Sequence, residues 1–384
     1  MVASSAPLDQ FIARNPDYFF GNTPEHAFIQ PNNLEILINH LKCAAFELPI
    51  GTEEKFGDVD LPDLCARLAE AGFLHRSGEH YHWTHEAYPA DTVSLRSVTS
   101  DNFVIIDITG EPNVIGEVDF SSALTTVHEK AIYLHGGEQY HVEHLDFKER
   151  KAYVKQVDVD YYTDAIRYTQ VGVLEIAEST KECGPAVNGG HAKSHGDVLV
   201  RSQVVGFKKL KFFTNENIGA GKLELPENEM HTTAYWVTLQ RSLLESLPYS
   251  ISERQSGMFG LLHAMKSVAT LLLMCDARDL GSTIGERAPD IGETRLGLVL
   301  SASVKDDKPT EFFEPNLYLF DAYAGGIGFS EPLFRVHELL MSKTRELIAG
   351  CPCEQGCPSC VGPAGDLTWR AKEAALAILD RVCR

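Results

Sequence analysis

Apolar residues in the first 90 positions recur at a helical spacing. Pro7-Leu8-Asp9-Gln10-Phe11-Ile12 opens a short helix that the turn Arg14-Asn15-Pro16 ends. Asn32-Asn33 caps the run Leu34, Ile36, Leu37, Ile38, Leu41, which stops before Pro49. A third helix is predicted from Leu61 to Ala71, with Leu64, Cys65 and Leu68 on its apolar side and Gly72 just past its end. Phe73 to Trp83 then alternates as a hairpin turning at Ser77-Gly78. Three helices followed by a hairpin is the order of a winged helix, which places such a domain at residues 1–90.

The period changes to two from about residue 92. Phe103-Ile108, Ala152-Val157 and Val171-Ile176 alternate as strands, and glycine turns at Gly136-Gly137 and Gly189-Gly190 separate short segments. A β-rich, barrel-like domain is expected over residues 91–250. Residues 251–384 read as α+β. Met258 to Leu280 is apolar almost all round and predicts a buried helix. Strands follow at Arg295-Ser301 and Asn316-Phe320, then an amphipathic helix over Ser330-Ile348 and a last helix over Thr368-Val382. The fold class is therefore α+β, in three parts.

Composition adds limits. Hydrophobic residues at 44% and charged residues at 23% are ordinary for a globular chain. No run approaches the roughly 20 apolar residues of a membrane span, and Met1 to Gln10 lacks the form of a secretory signal. A cytoplasmic protein without a membrane partner is expected. The net charge of −20, from 34 basic and 54 acidic side chains, opposes general attraction to nucleic acid. Contact with DNA or RNA then needs a local positive patch.

Four of the nine cysteines fall within ten residues, as Cys351-Pro-Cys353-Glu-Gln-Gly-Cys357-Pro-Ser-Cys360. Clustering of this kind in a reducing compartment favours metal over disulfides. Four thiolates match the tetrahedral preference of structural zinc, and Gly356 with Pro358 permits the tight turn. No ligand position is left open for catalysis. An iron–sulfur cluster and a redox or metal-free set are the alternatives. Cys43, Cys65, Cys183, Cys275 and Cys383 are isolated and read as small buried apolar residues.

One segment opposes the acidic average. Residues 201–222 carry Arg201, Lys208, Lys209, Lys211 and Lys222 against the single acid Glu216, interleaved with Phe207, Phe212 and Phe213. Basic side chains beside aromatic platforms suit single-stranded nucleic acid, and Arg201, Lys208, Lys209, Lys211 and Phe212 are the candidate contacts. A plain strand with lysines to water and phenylalanines to the core has the same spacing. Residues 1–100 hold six Lys and Arg against fourteen Asp and Glu, so the winged helix suits protein docking as well as DNA reading.

Other motifs carry bland readings. The turn Asp321-Ala-Tyr-Ala-Gly325-Gly326-Ile-Gly328-Phe329 offers backbone amides to a phosphate, but no Lys-Ser or Lys-Thr follows. It reads as a strand-to-helix turn needing positive φ. Gly219-Ala-Gly221-Lys222 is an incomplete phosphate loop, so ATP is not expected to bind this chain. His135, His141, His144, His191 and His195 form no recognisable ligand set, and Asp276 with Asp279 reads as a helix-terminal turn rather than an acid pair.

The stretches Pro24-Glu-His-Ala27, Pro31-Asn-Asn-Leu34, Lys42-Cys-Ala-Ala-Phe-Glu-Leu-Pro49, Tyr88-Pro-Ala90, Ser94-Leu-Arg-Ser97 and Thr232-Thr-Ala-Tyr-Trp236 resemble the C-terminal half of MrfA-type DNA repair helicases. So do the Gly325-Gly326-x-Gly328 turn and the cysteine knot, and the resemblance covers nearly the whole chain. It implies a superfamily 2 helicase in which two RecA-like motor lobes precede a winged helix and a zinc-bearing domain. Such enzymes use ATP to move 3′ to 5′ on single-stranded DNA during repair. The resemblance assigns Zn2+ to Cys351, Cys353, Cys357 and Cys360. The Walker A and DEAH-type motor motifs are absent here. The expectation is an accessory DNA-guiding module that works with motor domains in cis or trans. A protein-docking module without DNA contact is the first alternative, and a nuclease using Asp276, Asp279 or Asp321 the second.

Overall fold

The computed structural model describes residue 3 and residues 7–21, 33–57, 59–93, 102–180, 190–286, 314–362 and 370–383. The strand expected at Arg295-Ser301, Asn32, Gly189, Thr368, Cys183, Pro24-Ala27 and Ser94-Ser97 lie outside them.

Two short helices come first, α1 (Pro7–Arg14) and α2 (Pro16–Phe20). Helix α3 (Leu34–Glu47) starts at Asn33, whose side chain accepts from the Ile36 amide. Strand β1 (Ile50–Gly51), helix α4 (Leu61–Glu70), and the hairpin β2 (Leu74–Ser77) and β3 (His80–Trp83) follow. Asp60 caps α4, and Gly72 beyond it takes φ +82°. Next come β4 (Asn102–Asp107), β5 (Asn113–Asp119), α5 (Phe120–Thr126), β6 (Ile132–His135), β7 (Glu138–Asp146) and β8 (Lys151–Val157). Two long strands, β9 (Tyr161–Ser179) and β10 (His191–Lys211), precede β11 (Asn217–Lys222) and β12 (Asn228–Leu239). The last part holds α6 (Arg241–Glu245), α7 (Ile251–Leu273), β13 (Leu280–Glu286), β14 (Pro315–Asp321), α8 (Ser330–Arg335), α9 (His337–Gly350) and α10 (Ala371–Val382).

The chain divides into two compact units, and strands β9 and β10 each pass from one into the other. One unit comprises residues 31–167 and 203–228. Its winged helix packs α3 and α4 on the sheet β1-β3-β2 around Leu37, Leu41, Leu64, Cys65, Leu74 and Tyr81. Its second core lies against the mixed sheet β5-β4-β8-β7-β6, in which β4 and β8 run parallel and the other pairs antiparallel. That sheet is a curled half-barrel, and Phe103, Ile105, Val142, Ala152 and Val154 fill its inner face.

The other unit gathers residues 1–30, 168–202 and 229–384. Its sheet runs β10-β12-β14-β13. Every residue of β14 is buried, because both faces are covered. Leu317 and Leu319 face one core with α7, while Tyr318 and Phe320 face another with Val198, Val200 and Trp236. Helix α7 is buried as predicted, but it begins and ends seven residues earlier than expected. Ser250 and Glu253 form a capping box at its start, and Met274 closes it with φ +55°. Leu280 opens β13 instead. By length and composition α7 would pass for a membrane span, with mean hydropathy 1.3 over 18 residues, and 72% of that window is buried inside the fold. Helices α1 and α2 do not belong to the winged-helix core. The Tyr18 hydroxyl donates to the Leu271 carbonyl on α7 at 3.0 Å.

The helix predicted over Ser330-Ile348 is broken at Val336 into α8 and α9. His337 sits at the break, 1% exposed, with Nδ1 2.6 Å from the Tyr235 hydroxyl and its ring stacked on His191 at 5.5 Å. Burial, with His191 and Lys193 nearby, lowers its pKa to about 3. In the fold the ring is therefore neutral, whereas the unfolded chain takes up a proton below ~6.5. The stability this ring contributes is complete above that pH and falls away as pH drops toward 3. A loss of about 2 kcal/mol is expected at pH 5. Urea unfolding of the chain and of His337→Gln at pH 7 and 5 checks this. An equal pH slope in both would show that the ring does not carry the effect.

Candidate metal centre and nucleic-acid interface

Helix α9 ends at Gly350, and Cys351 turns the chain into extended backbone. The next ten residues fold back so that all four cysteine sulfurs lie within 4.8 Å of one another. Sγ separations are 3.5 Å for Cys351–Cys357, 3.5 Å for Cys353–Cys360 and 3.7 Å for Cys357–Cys360. A zinc tetrahedron with Zn–S of ~2.3 Å has edges of ~3.8 Å, so one ion fits the four sulfurs. A multi-iron cluster would require them spread around several metals. Gly356 at φ +122° makes the turn, and a Cβ there would meet Val361 at 2.5 Å.

The surroundings hold the loop in place. The Cys357 amide donates to Cys360 Sγ at 3.3 Å. Lys372 of α10, only 8% exposed, donates from Nζ to the carbonyls of Cys351 (2.8 Å) and Cys353 (2.5 Å). His263 of α7 donates from Nε2 to the Pro358 carbonyl at 3.2 Å. Glycines on α7 allow close approach. A Cβ at Gly260 would stand 2.8 Å from Val361 Cβ, and one at Gly257 2.7 Å from Ala374 Cβ. Burial pushes the Cys353 and Cys360 thiols up. Burial also raises Cys351, but hydrogen bonds from the Cys353 amide and Cys357 outweigh it and leave that thiol at about 7. A divalent cation supplies the charge that would turn all four into thiolates.

Four of the five predicted nucleic-acid residues share the end of β10 and the turn after it. Arg201 belongs to one unit and pairs with Glu229 at 2.7 Å, while Lys208, Lys209, Lys211 and Phe212 belong to the other. Phe207 faces the core and stacks on His128 at 5.1 Å, as strand alternation requires. Lys209 Nζ lies 4.8 Å over the Tyr161 ring, and Lys211 pairs with Asp160 at 3.7 Å. Lys208 stands half-buried opposite Ala220. Phe212 is half-buried against Tyr162, with ring centres 5.6 Å apart. The exposed aromatic is its neighbour Phe213, which the candidate set omitted. A left-handed backbone at that residue breaks the alternation.

The glycine turn is structural. Asp321, 1% exposed, accepts at Oδ2 from the amides of Ile327 (2.7 Å), Gly328 (2.9 Å) and Phe329 (3.2 Å), and from the Thr233 hydroxyl (3.1 Å). Those amides already hold a carboxylate, the group a phosphate would replace. Asp279 caps the turn after α7, accepting from the Asp276 amide and from the Tyr323 hydroxyl. Among the described residues the four cysteines alone converge as a set of three or more metal-ligating side chains. Of the isolated cysteines, Cys65 is buried, Cys43 and Cys275 are half-buried, and Cys383 is exposed.

Two family profiles match, the MrfA Zn-binding domain at residues 261–361 and the winged helix domain of ATP-dependent helicase HRQ1 at residues 29–98. Fold and site thus define a winged helix joined to an MrfA-type zinc-binding domain. The chain is homologous to the MrfA, YprA and HRQ1 helicases. It is 40% identical over 386 residues to an uncharacterized ATP-dependent helicase YprA of Bacillus subtilis, covering 100% of this chain and 47% of the relative. ATP-dependent helicase HRQ1 of Saccharomyces cerevisiae is 25% identical over 375 residues, covering 94% and 32%. A crystal structure of DUF1998 helicase MrfA bound to DNA matches with TM-score 0.56 and 39% identity over 99% of this chain and 47% of that one. The chain spans less than half the length of these relatives.

Proposed function

We propose that this chain is the DNA-guiding accessory part of an ATP-dependent 3′–5′ DNA repair helicase. The observation that carries this reading is the 40% identity to a helicase along the whole chain, joined by the match to MrfA bound to DNA. Zn2+ on Cys351, Cys353, Cys357 and Cys360 is its structural cofactor, tying α9 to α10. ATP binding and hydrolysis belong to RecA-like motor domains, in cis or trans, and single-stranded DNA is the ligand in the cytoplasm. Contact to phosphates supplies most of the affinity and makes it salt-dependent.

Titrating the chain into labelled single-stranded DNA at 50 and 200 mM salt tests this. Anisotropy should report binding that weakens steeply, by roughly 0.7 log units per phosphate contact for each tenfold rise in salt. Absence of binding at low salt sinks the reading. The net charge of −20 favours a second reading, a docking module for a helicase motor or repair partner without direct DNA contact. Capture of purified motor domains without DNA binding would establish it.

A further inference from the structure

The turn between β10 and β11 presents a phenylalanine in a way the fold itself does not need. Phe213 is 102% exposed, and its backbone is left-handed at φ +66°. Leaving a large aromatic ring in water and holding a non-glycine residue in that conformation both run against stability. The turn is nevertheless firmly built. The Lys211 amide donates to the Glu216 carbonyl at 2.9 Å, and the Asn215 amide to the Lys211 carbonyl at 2.9 Å. The Thr214 amide donates to the Phe212 carbonyl at 2.8 Å, and the Phe212 amide to the Asp160 carbonyl at 2.9 Å. Asn215 is also left-handed, at φ +55°, and its side chain accepts from the Tyr162 hydroxyl at 3.0 Å. Phe212 lies on Tyr162, and its ring centre stands 6.5 Å from that of Phe213. The result is a ring held outward at the tip of a stiff hairpin whose strands carry Lys208, Lys209, Lys211 and Lys222.

An exposed ring on a rigid support, with cations along the strands behind it, matches what an unpaired nucleobase requires. Every base has a π-face, so stacking needs no hydrogen-bond readout, and nearby lysines attract the phosphates. We propose that Phe213 is a stacking platform for an unpaired base of single-stranded DNA, positioned by the 211–216 turn. The inference rests on the DNA-guiding reading above and names where that reading acts. Phe212, half-buried against Tyr162, is the less accessible ring of the two.

The test uses the whole chain and a single-stranded oligonucleotide carrying one 2-aminopurine, whose emission falls on stacking. Phe213→Ala should lose about 5- to 150-fold in affinity and abolish the quenching. Its log–log salt slope should stay unchanged, because no phosphate contact is removed. Phe213→Trp should retain binding, with its own fluorescence quenched by DNA. The ring touches solvent on all sides, so thermal unfolding of both variants should match the unsubstituted chain. Tight binding by the unsubstituted chain, with Phe213→Ala within twofold of it and equally quenched, overturns this inference and leaves the DNA-guiding reading standing. Failure of the unsubstituted chain to bind at low salt overturns both.

Discussion

Cys360→Ser is expected to release the metal and loosen the whole helical core around it. Cys360 is fully buried and Cys351 nearly so, and the neighbouring Val361 packs against the backbone of Gly260 on α7. Serine is a poor zinc ligand, so one substitution disables the set. Structural zinc contributes ~10–16 kcal/mol of apparent binding free energy in small fingers, as much as the entire stability of many domains. Here a sizeable apolar core remains after the metal leaves, so the expected cost is smaller, ~3–5 kcal/mol, which lowers the thermal midpoint by roughly 10 °C. Bound zinc by elemental analysis should fall from one per chain to a trace, and chelation of the unsubstituted chain should reproduce the shift. Cys43→Ser, at an isolated half-buried thiol, should change neither quantity. A Cys360→Ser chain that keeps both its metal and its midpoint would remove the centre's structural role.

Asp321→Ala is the second large effect. One carboxylate oxygen holds three consecutive amides and the Thr233 hydroxyl, in a side chain that water barely reaches. Alanine strands all four donors, at 1–3 kcal/mol for each buried donor that finds no other partner. Relaxation of the turn recovers part of that sum, and a net loss of ~4 kcal/mol in urea unfolding is expected. Asp321→Asn keeps one accepting oxygen and should lose about half as much. Because Gly326 leaves only 2.6 Å between an added Cβ and Thr233 Oγ1, the turn has little room to adjust. If Asp321→Ala left stability intact while altering DNA binding, the turn would be a ligand site after all.

Local signals in the sequence carried the parts that fold locally. The cysteine knot was legible because its ligand spacing is contained in one turn. The wing was legible because Leu74, Tyr81 and the glycine turn sit at hairpin spacing. The end of α7 was missed although the charged turn Asp276-Ala-Arg278-Asp279 interrupts the apolar stretch between the helix and Leu280. Ser250 and Glu253 did mark the true start, as a capping box that the apolar run overshadowed. The end at Met274 takes a left-handed backbone with no glycine to announce it. The break at Val336 likewise lacks glycine or proline, and buried His337 accompanies it. That Phe213 rather than Phe212 is exposed was illegible for a similar reason. Extending strand alternation into the 211–216 turn ignores two positive-φ residues that reverse which ring faces water. The division into units was out of reach, because it joins residues that only the tertiary fold makes neighbours.

Lys372 gives this arrangement an order in time. Its buried ammonium anchors the carbonyls of Cys351 and Cys353, so the metal loop takes its final shape only with α10 docked. Arg14 near the other end reaches the Gly350 carbonyl, 336 positions away, at 3.4 Å. During synthesis on the ribosome, the winged helix can close around its local contacts while the rest is still being made. The metal loop must instead wait for residue 372 to emerge from the exit tunnel. Until then the face of α7 on which α10 packs is the apolar surface that a chaperone would meet.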